Sequence, residues 1–143
     1  MTPQIQSGVL AYRRHKRRGL EVLLVKKPLS QNWGIPKGKL TAGLSLSENA
    51  TKEAFEEAGV RGTIRPEIAG SYRTMKRRAD RQVLVEVSVF LLEVTSIARK
   101  WPEKDTRLIR WCSVSEASRL LREPILIQLS QGLDRSATTP TDS

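Results

Sequence analysis

From Val83 to Val94 the chain runs Val-Leu-Val-Glu-Val-Ser-Val-Phe-Leu-Leu-Glu-Val, with apolar side chains at both odd and even positions. A strand sends successive side chains to opposite faces. One that is apolar on both must be covered from both sides, which places it at the centre of a sheet. That requirement limits the folds open to the chain, because each face of the sheet needs its own covering layer.

Three helical patterns can supply the cover. Ser45-Leu46-Ser47-Glu48 has the form of a capping box, and Ala50, Ala54, Phe55 and Ala58 follow at helical spacing, so a helix is predicted over 46–58 with Gly59 as its left-handed stop. Val114 to Leu121 and Pro124 to Leu133 space Leu, Ile and Ala three and four apart, and Ser113 or Ser115 is placed to cap the first. Gly8 to Tyr12 and Leu20 to Val25 predict a hairpin around the basic turn Arg13 to Gly19. Pro28 to Pro36 is expected as an irregular segment or short strand held by Trp33, Gly38 to Gly43 as a loop, and Gly62 to Lys76 as a broken strand ending in a charged turn, Arg77 to Arg81. Lys100 to Lys104 is a loop and Arg107 to Ser113 a short strand. The expected architecture is one α+β domain over residues 1–134, a mixed sheet with helices on both faces, followed by an unstructured tail over 135–143.

Composition narrows the function classes. At 143 residues, 38% hydrophobic and 28% charged, the chain has the make-up of one globular domain. No apolar run approaches the roughly 20 residues a spanning helix needs, so no membrane partner is expected. Met1 to Ser7 lacks a basic segment followed by an apolar one, and Cys112 stands alone, so a cytoplasmic, reducing location is expected, with Cys112 a structural thiol at a strand end. The net charge of +10 attracts anions. Nucleic acid, an anionic membrane and a small, highly phosphorylated molecule all answer to that field. No recognition helix, RNA-binding strand motif or basic repeat is present, which makes nucleic acid the less expected partner. The basic turn carrying His15 is either a solvated turn or a phosphate-steering patch, and His15 is not expected to hold metal. Charge and pattern leave monomer and homodimer open.

The chemistry concentrates between Gly38 and Val60. Glu53, Glu56 and Glu57 are related by i, i+3 and i+4 on one helix face, where carboxylates repel. Either the surrounding Lys and Arg neutralise a solvated acidic face, or a hard divalent cation does so, with Mg²⁺ taking oxygen ligands and completing its shell with water and phosphate. Gly38 and Gly43 allow close backbone approach to a ligand, and Lys37 and Lys39 flank that approach.

The segment resembles the Nudix box: a glycine, five residues, Glu, seven residues, then Arg-Glu-apolar-x-Glu-Glu-x-Gly-apolar. Gly38, Glu53, Glu56, Glu57, Gly59 and Val60 match in register, while Leu44, Lys52 and the small Ala54 depart from it. The resemblance implies an α/β/α sandwich and a hydrolase of phosphoanhydride bonds. Its cofactor would be Mg²⁺, with Mn²⁺ the alternative, held by Glu53, Glu56, Glu57 and the Gly38 carbonyl. In the family, the Glu and Arg replaced here by Leu44 and Lys52 brace the loop against the helix, so that bracing is in question; Lys52 is expected to pair with Glu48 instead.

Trp33-Gly34-Ile35-Pro36-Lys37-Gly38 is similar to the entry segment of family members acting on diadenosine polyphosphates and diphosphoinositol polyphosphates. Lys37, Lys39, Arg73 and Arg78, with Lys76, Arg77 and Arg81, are the candidates for binding non-reacting phosphates. Glu56 is favoured as general base, with Glu103 its rival by position in a late loop. Trp33, Tyr72 and Trp101 are expected to pack rather than stack a base. The alternatives are a nucleotide-sanitising pyrophosphohydrolase acting on (d)NTPs, or a catalytically weak module that binds nucleotide or RNA.

Overall fold

The computed structural model describes residues 1–138, with side chains to 136. The long apolar segment lies inside β6 (Arg81–Ile97), at the middle of a mixed sheet. β1 (Gln4–His15) runs parallel to it, and the sheet continues through β2 (Gly19–Lys26) to β7 (Leu108–Ser113), both antiparallel to their neighbours. On the other edge of β6, β4 (Val60–Ile64) and β5 (Gly70–Arg78) pair end to end, because a 17-residue strand is long enough for two partners. The single broken strand expected over 62–76 is therefore two strands, and the charged turn shrinks to Ala79-Asp80, with Ala79 at φ 53.

Helices cover both faces, as an α/β/α sandwich requires. α1 (Leu46–Ala58) lies on one, where Ala50, Ala54 and Ala58 pack against Val9, Ala11, Leu23, Phe90 and Leu92. Small side chains at one-turn intervals keep this contact close. α2 (Val114–Leu120) and α3 (Pro124–Thr138) cover the other, burying Ala117, Leu126 and Leu133 against Leu10, Val22, Val85 and Val87. Ser113 is the cap of α2. α3 runs past Leu133 to Thr138, so the expected tail is helical over 135–138, and its remainder lies outside the described residues. No helix among the described residues is long and apolar enough to cross a membrane.

Two segments near α1 differ from expectation. Lys37–Lys39 forms β3 rather than loop, pairing antiparallel with β1 so that Ser7 faces Gly38, and Leu40 N–H continues the pairing to the Ile5 carbonyl. Lys52 does not pair with Glu48. Glu48 turns back to accept the Ser45 N–H at 2.8 Å, closing the capping box, and Lys52 instead pairs with Glu56 at 3.0 Å.

Candidate active site

α1 carries two neighbouring stripes. Ala50, Ala54 and Ala58 point into the core, and the next stripe round, Asn49, Glu53 and Glu57, follows the border between core and solvent. Residues four apart stack on one face, so this polar stripe is drawn partly inside by the burial of its neighbour. Asn49 is fully buried and Glu57 only 5% exposed.

The β3 segment and the loop after it run antiparallel along that stripe. Lys37 N–H donates to Glu57 Oε2 at 3.3 Å, Gly38 lies against Glu53, and Thr41 N–H donates to Asn49 Oδ1 at 3.0 Å. A methyl group on Gly38 would fall 2.0 Å from Glu53 Oε1, so only glycine lets the backbone this close to the carboxylate. Gly59, at φ 69, ends α1, and the Trp101 ring occupies the space where its side chain would be.

Trp101 thereby ties the 100–104 loop to the end of α1, as a packing residue. Glu103 N–H donates to the Glu56 carbonyl at 2.9 Å, and the Glu103 carboxylate meets Arg107 Nη2 at 3.1 Å, while Arg107 Nε reaches Glu57 Oε1 at 3.5 Å. Arg107 thus bridges the acidic helix and the loop. Sequence reasoning passed over it, although it stands four residues after Glu103, and it also passed over Asn49, whose signal was its place one turn before Glu53.

Burial and crowding shape the acids. Burial first, then the charges of Glu53 and Glu103, push the Glu57 carboxyl up to about 7 against the opposing pull of Arg107 and Lys37. Glu53 is also raised, by burial foremost, with Glu56 and Glu103 adding to it. Among the described residues no three acidic side chains enclose a ready-made cation cage. Glu56 is turned to Lys52 and Glu57 to Arg107. The donor set nevertheless fits Mg²⁺, which keeps much of its water and takes few protein oxygens. Glu53 and Glu57 are crowded, buried carboxylates whose mutual repulsion a cation relieves, and the Gly38 backbone lies directly beside them.

From Glu57 and Arg107 a cleft of about 620 Å³ opens between β5 and the segment joining α2 to α3. Lys37, Lys76 and Arg122 line it, together with Lys26 and Lys27. Burial, followed by the charges of the nearby Lys37, Arg78 and Lys27, lowers the pKa of Lys76 to about 8. Arg78 lies near this group with its guanidinium donating to Gln4 at 3.4 Å. Lys39 is exposed and off the cleft wall. Arg73 does not join the group: alternation along β5 sends it to the opposite face, where it pairs with Glu86 at 2.9 Å. Trp33 and Tyr72 line the cleft but pack against the core, and the Lys26 ammonium sits 5.5 Å from the Trp33 ring centre.

His15 accepts the N–H groups of Arg17 and Arg18 and closes its turn. From Ser7 to His15 along β1 is roughly 26 Å at 3.3 Å per residue, so the basic tip is remote from the acids. Cys112 is buried, its thiol pushed up to about 11 chiefly by burial, in keeping with a structural role.

The three-layer α/β/α sandwich, with a first helix that sets a stripe of carboxylates beside a glycine backbone, falls within the span of a single family model. The NUDIX domain model matches residues 2–131, and the chain belongs to the Nudix family. It is 36% identical over 107 residues to "Nudix hydrolase 12, mitochondrial" of Arabidopsis thaliana, a match covering 72% of this chain and 53% of that protein. The chain thus spans about half the length of that relative. Among solved structures it resembles a C. elegans Ap4A hydrolase, with a TM-score of 0.63 and 17% identity over 94% of this chain and 98% of that one. It also resembles the E. coli dihydroneopterin triphosphate pyrophosphohydrolase, with a TM-score of 0.69 and 16% identity over 94% and 97%. Identities this low establish the shared fold.

Proposed function

We propose that this domain is a Mg²⁺-dependent hydrolase of phosphoanhydride bonds, with Mn²⁺ able to substitute, acting on a small and densely phosphorylated substrate. The observation that carries the reading is a single cleft with acids at one end and crowded ammonium groups along its walls. Among the described residues neither Lys37 nor Lys76 makes an ion pair with a carboxylate. Two neighbouring ammonium groups, neither in an ion pair with a carboxylate, favour an anion, and a substrate with several phosphates satisfies them.

Hydrolysis of a phosphoanhydride asks the protein mainly for positioning and charge neutralisation. Glu53, Glu57 and the Gly38 carbonyl would hold the cation, with Glu56 joining on release from Lys52. When bound, the ion neutralises phosphoryl oxygens and makes water more acidic. The proton of the attacking water goes to Glu103 in this reading. Glu56 was the sequence favourite, but it belongs to the ligand face, whereas Arg107 holds the Glu103 carboxylate beside Glu57. Lys37 and Lys76 orient the non-reacting phosphates.

Among polyphosphates, we favour diphosphoinositol polyphosphate over diadenosine polyphosphate, because the cleft is lined by Lys26, Lys27, Lys37, Lys76 and Arg122, while its aromatic residues Trp33 and Tyr72 also pack against the core. The likeness to an Ap4A hydrolase keeps diadenosine polyphosphate as the second reading. Product chromatography over diphosphoinositol polyphosphates, diadenosine polyphosphates and nucleoside triphosphates, with Mg²⁺ or chelator, tests the proposal. Expected are metal-dependent turnover, near-complete loss in Glu57→Gln, a raised KM in Lys76→Met, and a fall in kcat of roughly 10²-fold or more in Glu103→Gln. Ligand binding without turnover of any substrate would overturn the enzyme reading in favour of a binding module.

A further inference from the structure

We propose that Asn49 is a positioning residue for the cation site: its side-chain amide holds the Gly38 loop against the acidic face of α1, and divalent-cation affinity depends on that hold. The inference rests on the metal-hydrolase reading.

Asn49 is fully buried in the first turns of a helix, where asparagine is a poor helix former and an unpaired amide is costly. Such a residue needs tertiary partners, and three are present. Oδ1 accepts the Thr41 N–H at 3.0 Å, and Nδ2 donates to Ser7 Oγ at 3.0 Å and to the Gly38 carbonyl at 3.3 Å. One amide therefore joins β1, the carbonyl expected to face the cation, and the loop beyond it. One turn further along α1, the Glu53 carboxylate packs on the same glycine.

The neighbouring positions do not provide this link. Leu44 has no polar side-chain atom, and Lys52 is turned to Glu56. Among the described residues, the side-chain hydrogen bonds from α1 to residues 38–44 come from Asn49. Where the family pattern braces this loop with Glu and Arg, a buried amide one turn before Glu53 does so here.

Removing the amide should let the loop drift from the carboxylates and weaken cation binding while the core stays folded. Mn²⁺ binding to the substrate-free protein, read by electron paramagnetic resonance, measures this directly, with thermal unfolding recorded alongside. Asn49→Leu keeps the volume and removes the hydrogen bonds; Asn49→Ala favours the helix and serves if the leucine variant fails to fold. The expected result is a loss of Mn²⁺ affinity of roughly 10- to 100-fold, the usual effect of removing a group that orients a metal ligand. Leu44→Glu together with Lys52→Arg in the Asn49→Ala background should recover part of it. A folded Asn49 variant that binds Mn²⁺ as tightly as the wild type overturns the proposal and leaves the hydrolase reading intact. A wild-type protein that binds no Mn²⁺ overturns both.

Discussion

Glu57 shows how position governs a single side chain. Its stripe on α1 borders the core, so it is buried, and burial pushes its carboxyl from 4.5 up to about 7. A carboxyl that binds its proton more tightly in the folded state contributes stability that is complete below the unfolded value and lost as pH rises through the folded one. In chelator, the wild type should therefore lose stability between about pH 4.5 and pH 7 relative to Glu57→Gln, by an amount on the order of 3 kcal/mol. Denaturant unfolding of both proteins across that range measures it, and parallel pH profiles would refute the assignment. Mg²⁺ should recover much of the loss at the alkaline end, because the cation binds the ionised folded state alone.

At the scale of an element, α1 is held by its two ends and serves the site through both. Ser45 accepts the Glu48 N–H and Glu48 accepts the Ser45 N–H, so Ser45→Ala should cost about 1 kcal/mol. At the other end Gly59 is left-handed and covered by Trp101. Gly59→Ala meets both a backbone penalty of roughly 1–2 kcal/mol and the indole ring. Because Trp101 ties down the loop that presents Glu103, Gly59→Ala should lower kcat well beyond its effect on melting temperature, while Ser45→Ala should lower melting temperature with kcat little changed. Equal kcat losses in the two variants would argue against the loop's role. The bounds of α1 were legible in the sequence because capping and left-handed termination are local chemistry. The division into β4 and β5 was not, because it depends on the length of β6, which both strands share.

For the whole molecule, the net charge of +10 is divided between sites that do different things. The cations lining the cleft lie beside the acids, whereas Lys16, Arg17 and Arg18 sit at a hairpin tip roughly 26 Å along β1 from Ser7, well beyond the Debye length of about 10 Å at 0.1 M salt. kcat/KM should fall as ionic strength rises. Neutralising Lys76 should flatten that dependence, and changing Lys16, Arg17 and Arg18 to Gln should leave kcat/KM nearly unaltered at 0.1 M salt. A large effect from the tip variant would show that steering extends over the whole surface.

What the sequence determined was whatever depends on near neighbours: the central strand from its two apolar faces, α1 from cap to stop, and a row of carboxylates set by helical spacing. It also carried the family box, since those residues act within one loop and helix. The tertiary structure decided which distant groups meet them. It placed Arg107 between Glu57 and Glu103, sent Arg73 to the opposite face from Lys76, and folded Asn49 under the Gly38 loop. Those outcomes depend on strand pairing and layer packing between segments far apart in the chain, where a one-residue change of register reverses the face a side chain occupies.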